Sequence, residues 1–286
     1  MTDRFTVTEV PVPIVARERT ALVCVPIDAP PPGGWPLVLA FHGGRSHPEA
    51  MRRFSGLDAF AAAGRALVCY PAGTGSRESM LTWNGGNCCG EARDGGADDV
   101  AFARAVVGVV AARWPVDPRR VHATGMSNGA MMAYRFAAEA ADVVASVAPV
   151  AGPLALDAIA PVRPVPILHF HGSLDQFTPL AGGIGRRSVT RTHHRAIDDG
   201  LRDWVRANGL DPRAVRVAVP CADDGITIER VAWGAGGSGE VVFYEITGGG
   251  HTWPGRVPDS FYLGPSALSL DANALIADFF ARHPLP

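Results

Sequence analysis

The runs Pro36-Leu37-Val38-Leu39-Ala40-Phe41, Ala66-Leu67-Val68-Cys69-Tyr70, Val143-Val144-Ala145-Ser146-Val147-Ala148 and Pro166-Ile167-Leu168-His169-Phe170-His171-Gly172 lack the polar alternation of a half-exposed strand. Strands apolar on both faces are covered on both faces, so these read as inner strands of a sheet between two helical layers. Helical stretches at about 51 to 63, from Asp98-Asp99 to Arg113, at about 195 to 208 and at about 269 to 282 fall between and after them. Strand and helix in repetition predict a parallel core with right-handed crossovers. Residues 5 to 27 alternate and carry prolines, which predicts two edge strands at an antiparallel end. The expected fold class is α/β: a mostly parallel central sheet with antiparallel N-terminal strands and helices on both faces. No repeat, charged tail or Pro/Ser linker divides residues 1 to 286, so a single domain is expected.

Within this frame the stretch Val121 to Phe136, VHATGMSNGAMMAYRF, carries a short strand, a sharp turn at Gly125-Met126-Ser127-Asn128-Gly129, and a helix rich in Ala and Met. Glycines flank a serine in this way where the turn is too tight for a Cβ and drives the serine into a strained backbone conformation. The Ser127 hydroxyl is then held in the open. The helix directs free N–H groups and its positive end at it, and the Asn128 N–H is available to a developing oxyanion. A bare G-x-S-x-G recurs by chance in a chain with 33 glycines, so the flanking strand and helix give the motif its weight. A second glycine pair, in His42-Gly43-Gly44-Arg45, follows the run that ends at Phe41. It reads either as the other half of an oxyanion hole, with Gly44 as donor, or as a plain strand-to-loop turn.

Serine-based hydrolysis also needs a base and a carboxylate to orient it. In a parallel sheet the loops that follow the strands share one edge, so Asp175, just past the run ending at Gly172, can reach the serine. Asp157 lies in an earlier loop, and Asp198, Asp199 and Asp203 lie on a helix. Among nine histidines, His251 stands out because Gly248-Gly249-Gly250 precede it and an exposed Trp-Pro-Gly follows, after the alternating strand at 241 to 246. His169 and His171 read as structural residues on or near a strand, while His193 and His194 sit in a polar loop before the final strand. Ser127, Asp175 and His251 occur in the order nucleophile, acid, base, which is that of an α/β-hydrolase and of neither the trypsin-like nor the subtilisin-like enzymes.

The loop from Ala72 to Gly96 is long, and loops of that length inside a compact domain tend to be functional. It carries Trp83, read as a substrate platform or as a lid anchor, and the pair Cys88-Cys89. Five cysteines leave at least one unpaired or in an intermolecular bond. Cys24 and Cys69 lie in apolar runs and read as core. Cys88, Cys89 and Cys221 lie in loop-like contexts, where a bridge from one of the adjacent pair to Cys221 is open; adjacent cysteines alone do not match zinc spacing. Neither a metal nor an organic cofactor is expected. A formal net charge of −2, with 26 basic and 28 acidic residues intermixed, gives no footprint for nucleic acid or an anionic membrane. The first residues lack a basic and then apolar leader, so the expectation is a cytoplasmic chain, although a secreted chain already relieved of its signal would look the same. Oligomeric state is not readable.

Taken together, Phe41-His42-Gly43-Gly44, Trp83 with Cys88-Cys89-Gly90, Gly125-Met126-Ser127-Asn128-Gly129-Ala130-Met131, His171-Gly172 with Asp175, and Gly249-Gly250-His251-Thr252-Trp253-Pro254-Gly255 resemble the feruloyl esterase and poly(3-hydroxybutyrate) depolymerase group, of the LpqC type. The resemblance runs from about residue 35 to the C-terminus. It implies an α/β-hydrolase acting on carboxylic esters with Ser127, Asp175 and His251 as triad. Many relatives have a cysteine where this chain has Gly44; the backbone donor survives that change, but a disulfide from that cysteine does not. Many are also exported, which the N-terminus here does not support. Trp83 and Trp253, with His42, are the expected substrate contacts, able to sandwich a feruloyl group or line a groove for a hydroxyalkanoate chain. The absence of an appended binding domain points to soluble esters or oligomers. Competing readings are a serine peptidase of the same fold and a non-catalytic binding protein built on it.

Overall fold

A computed structural model of the chain describes residues 4–14 and 18–286. The strands are β1 (Phe5–Pro13), β2 (Glu18–Pro26), β3 (Trp35–Phe41), β4 (Leu67–Pro71), β5 (Val116–Met126), β6 (Ser146–Val150), β7 (Ile167–Gly172), β8 (Val215–Val219), β9 (Thr227–Trp233) and β10 (Val241–Thr247). They form one ten-stranded sheet in the order β1-β2-β4-β3-β5-β6-β7-β10-β9-β8. From β4 through β10 the neighbours in that order are parallel. The pairs β1/β2, β2/β4, β10/β9 and β9/β8 are antiparallel.

Every residue of β4, β6 and β7 is buried, as the unbroken apolar runs require. Alternate side chains of β3 enter different cores: Leu37, Leu39 and Phe41 join one cluster with Phe102, Phe136 and Trp204, while Val38 and Ala40 join another with Tyr70, Phe170 and Phe279. The helices that cover the faces are α1 (Pro48–Ser55), α2 (Asp58–Ala62), α3 (Gly90–Asp94), α4 (Asp99–Arg113), α5 (Asn128–Glu139), α6 (Ile197–Ala207) and α7 (Ala272–Arg282). The α4 helix starts where the acidic pair predicts, Asp98 capping it by accepting the Ala101 N–H at 2.9 Å. No helix among the described residues is long and apolar enough to cross a membrane.

Three elements differ from the sequence reading. The single helix expected over 51 to 63 is two, because Gly56 takes φ 64° and closes α1 with its N–H on the Arg52 carbonyl at 3.1 Å. The strand expected over 143 to 148 begins only at Ser146: the Val143 and Val144 N–H groups both turn back to the Ala140 carbonyl at 2.9 Å. Val144 is buried without being strand, so the apolar run crosses an element boundary. At the far end, β8 and β9 add an antiparallel edge that the sequence reading lacks. β8 is an exposed edge, and its residues 215–218 are all open to solvent.

Strand register decides where the site lies. Phe41 pairs with Gly125, Gly125 with Pro149, Val150 with Phe170, and Phe170 with Tyr244. The C-terminal ends of β3, β5, β7 and β10 therefore reach one edge together, and the segments after them, beginning at His42, Ser127, Ser173 and Gly248, share it.

Candidate active site

Ser127 stands between β5 and α5 with φ 58° and ψ −118°, a left-handed conformation that an L-residue holds only when its surroundings enforce it. Enforcement comes from close packing around the turn. A Cβ on Gly125 would strike the Gly129 carbonyl, one on Gly129 would strike the Phe41 carbonyl, and one on Gly152 would strike the Ser127 carbonyl. The Ser127 N–H is tied to the Val150 carbonyl at 2.9 Å. Beside the turn runs the His42-Gly43-Gly44 segment: a Cβ built on Gly43 would lie 3.8 Å from the Ser127 Cβ, and one on Gly44 3.4 Å from the Asn128 Cβ. Glycine at 44 thus lets the β3 loop lie directly on the start of α5.

Asp175 follows β7 and is fully engaged. Its Oδ1 accepts the Phe177 and Thr178 N–H groups at 2.8 and 2.9 Å, and its Oδ2 accepts the Thr178 hydroxyl at 2.9 Å and meets His251 Nδ1 at 2.6 Å. Burial pushes this carboxyl up, but the adjacent His251 imidazole and its hydrogen bond outweigh burial and hold it at about 2. A carboxylate only accepts, so His251 carries its proton on Nδ1 and keeps the Nε2 lone pair, the tautomer of a general base. The His251 loop is fixed through its backbone: the Gly250 N–H donates to Pro265 at 2.8 Å and the His251 N–H to Leu263 at 2.6 Å. The ring lies against Phe177, with centroids 4.8 Å apart.

Two clefts meet at Ser127. One, of about 240 Å³, is lined by Gly43, Gly44, Met51, Phe54, Phe177, His251 and Leu263 along with the serine. The other, of about 100 Å³, is lined by Gly44, Cys88, Cys89, Asn128, Met131, Thr178, Val189 and His194 along with the serine.

The expected substrate contacts are not on either wall. Trp83, Trp253 and His42 are each 0% exposed, so none can touch a ligand directly. Trp83 is an anchor. Its backbone N–H and carbonyl pair with the Asn128 side-chain amide at 2.7 and 2.9 Å, its Nε1 donates to the His42 carbonyl at 2.9 Å, and its ring packs edge-on against Phe41. His42 packs against Trp83 with the rings tilted by 40°, donates from Nδ1 to the Gly43 carbonyl at 2.8 Å and accepts the Gly73 N–H at Nε2 at 3.0 Å. Burial lowers it to about 3, which keeps the ring neutral. Trp253, expected to be exposed, instead donates to Asn273 at 2.9 Å and moors the His251 loop to α7. The long loop is pinned further by Arg19, which pairs with buried Asp99 at 2.7 Å, while the other Asp99 oxygen accepts the Asn84 N–H at 2.7 Å.

The cysteine expectation also changes. Cys88 and Cys89 are bonded to each other, and Cys221 is free, with its Sγ near Ser269 Oγ at 3.4 Å. Because the pair is closed on itself within the second cleft, neither sulfur is available to Cys221.

Several residues around the site read from the sequence only as structural or loop positions. His169 and His171, two apart on β7 and so on one face, continue inward from Asp175. His171 Nε2 meets the Thr178 carbonyl at 2.7 Å and Asp175 Oδ2 at 3.4 Å. Its Nδ1 meets His169 Nε2 at 3.2 Å, and His169 Nδ1 meets the Tyr134 hydroxyl at 3.0 Å. Burial lowers both histidines, so they are neutral, and a carbonyl at one end fixes the direction of every bond. Tyr134 donates to His169, His169 to His171, and His171 to Thr178. The period-two spacing of the histidines was the legible clue; nothing comparable marks His194.

Comparison with known proteins adds a sequence and a fold likeness. No protein-family model matches the chain. The chain is 36% identical over 237 residues to "Putative esterase NocK" of Nocardia uniformis subsp. tsuyamanensis, a match covering 78% of this chain and 67% of that protein. It is 32% identical over 136 residues to "Feruloyl esterase B" of Piromyces equi, covering 44% of this chain and 24% of that much longer protein. Its structure is similar to that of the acetyl xylan esterase from Aspergillus awamori, with a TM-score of 0.62 and 17% identity over 92% of this chain and 94% of the other. At that identity the likeness is one of fold, and the fold is that of the α/β-hydrolases.

Proposed function

We propose, from the premise that this chain belongs to the esterase family of NocK, that it is a serine carboxylic-ester hydrolase working through an acyl-enzyme. The observation that carries the reading is the 2.6 Å bond between Asp175 and His251, on loops that open onto the cleft of Ser127. In this mechanism His251 Nε2 takes the Ser127 proton as Oγ attacks the ester carbonyl. The oxyanion settles on the N–H groups of Asn128 and Gly44, assisted by the positive end of α5. The tetrahedral intermediate collapses, the alcohol leaves with the proton from His251, and water releases the acid by the same steps. Asp175, held ionised, keeps His251 in the base tautomer and stabilises the imidazolium. Side chains and backbone donors carry every step.

The substrates we propose are feruloyl or related hydroxycinnamoyl esters, or 3-hydroxybutyrate esters and oligomers. The family resemblance and the feruloyl esterase relative support this, as do apolar walls on both clefts. The test is initial-rate hydrolysis of p-nitrophenyl acetate, p-nitrophenyl butyrate, methyl ferulate and a 3-hydroxybutyrate oligomer, with Ser127→Ala as control. Turnover by the wild type and a loss of about 10⁴-fold or more in Ser127→Ala are expected. Equal rates for the two proteins would reject the reading.

A further inference from the structure

His194 lies at the wall of the second cleft and is 3% exposed. Its backbone is fixed by a reciprocal pair with Gly183, at 2.9 and 2.8 Å. Its Nδ1 is buried and has no hydrogen-bond partner among the described residues. A buried polar atom without a partner is uncommon, because desolvating it is unfavourable unless something satisfies it.

The other buried polar groups on this cleft are already engaged. The single Thr178 O–H is shared between the Ala151 carbonyl and Asp175, Thr82 Oγ1 donates to the Thr74 carbonyl and accepts the Ala92 N–H, and the Asn128 amide is paired with Trp83. What remains in the buried part is a surface of sulfur and carbon, from Cys88, Cys89 and Met131, and the His194 ring, while Arg45, Ser188 and Thr190 stand at the more open rim. That is the composition of a selective binding site: apolar walls with a single placed polar group.

The side of the serine on which this cleft lies assigns its ligand. In the proposed mechanism the imidazole that protonates the leaving alcohol must stand on the alcohol side. The cleft lined by His251 therefore takes the alcohol, and the other cleft takes the acyl chain.

We propose that His194 is the specificity-determining residue of the acyl subsite, hydrogen-bonding through its imidazole to a hydroxyl carried by the acyl chain. The proposal rests on the ester-hydrolase reading and deepens it. Burial lowers His194 to about 4, so at neutral pH the ring is uncharged and one nitrogen donates while the other accepts. A hydroxyl can satisfy either role. An aliphatic 3-hydroxyacyl chain and a phenolic cinnamoyl group share this chemistry.

The experiment measures kcat/KM for two matched pairs, p-nitrophenyl 3-hydroxybutyrate against p-nitrophenyl butyrate, and methyl ferulate against methyl cinnamate. Wild type, His194→Leu and His194→Gln are compared, with folding of each checked by its thermal midpoint. The expected result is a wild-type preference for the hydroxylated member of at least one pair. His194→Leu lowers that preference about tenfold, the scale of one neutral hydrogen bond, and His194→Gln, which keeps a donor and an acceptor, retains more of it. The pair that responds identifies the chain class. A preference unchanged by His194→Leu in both pairs, or rates that fall equally for both members, would overturn the proposal and leave His194 a packing residue. Failure of wild type to hydrolyse even p-nitrophenyl acetate, which has no chain to reach His194, would instead reject the esterase reading and this proposal with it.

Discussion

On one side of Ser127 the cleft is walled by Met51 and Phe54 of α1, by Leu263 and by the His251 ring; on the other it is walled by Cys88, Cys89, Met131 and the loop from Thr178 to His194. The first wall includes Ser127 and His251, between which the proposed mechanism moves a proton, on segments that follow β5 and β10. The second holds no group that the mechanism needs, apart from the shared serine and the donors at Asn128 and Gly44. The contrast suggests a division of labour. Under the proposed mechanism and subsite, rate depends on elements the sheet positions, and selectivity on loops that the sheet only supports.

Changes at the first wall should therefore reduce rate without altering choice. Asp175→Asn keeps the size of the side chain but presents an amide to His251 Nδ1, which stabilises the wrong tautomer. A fall of about 10⁴-fold in kcat is expected, equal for hydroxylated and unsubstituted acyl chains. Rates measured on the two matched pairs check this. A change in their ratio would break the division of labour.

Acid should weaken the fold around both walls, because neutral histidines are buried within it. His42 and His122 are held near 3 and His194 near 4, below their ordinary value of 6.5, and burial lowers His169 and His171 as well. Below pH 6.5 the unfolded chain takes up protons that the folded chain refuses. Stability is thus fully present above 6.5 and falls as pH drops toward the folded values, by about 1.4 kcal/mol per histidine per pH unit. The lowered Asp175 and Glu240, both at about 2, add a further loss only below their ordinary carboxylate values. Thermal midpoints measured from pH 7.5 to 4.5 should fall steadily, starting near pH 6.5. A flat profile would contradict the buried neutral state.

Asn128 joins the walls, and its two ends can be separated. Asn128→Ala retains the backbone N–H proposed for the oxyanion but strips both partners from the buried Trp83 peptide groups. The expected cost is about 2–4 kcal/mol of stability, read as a lowered thermal midpoint. A kcat loss on the scale of Asp175→Asn would show that the side chain itself serves the chemistry.

The smallest effect is expected deepest in the molecule. Tyr134→Phe deletes only the hydroxyl that donates to His169, at 3.0 Å, and should lower stability by about 1 kcal/mol with kcat little changed. A large kcat loss would make the Tyr134-His169-His171 chain part of the chemistry rather than a brace behind Asp175.

The same division explains what could be read from the sequence. Unbroken apolar runs and glycines that cannot bear a Cβ are local statements about backbone, and they located the inner strands, the serine turn, Asp175 and His251. Edge strands carry weaker patterns, and β8, open to solvent, has no apolar run to mark it. The second wall is assembled from segments about a hundred residues apart: the Asn87 amide reaches the His193 carbonyl at 3.3 Å. No local pattern encodes such a meeting. For the same reason Trp83 and Trp253, aromatic residues on loops at the catalytic edge, read as ligand platforms, although the packing beneath the loops turns both inward as anchors.

The central claim is that Ser127 is an activated nucleophile. Its most direct test is treatment with a serine-directed fluorophosphonate, followed by intact-mass and peptide mass spectrometry of wild type and Ser127→Ala. The account predicts one adduct per wild-type chain, mapped to Ser127 and absent from the variant. No adduct on wild type, or an equal adduct on both proteins, would contradict it.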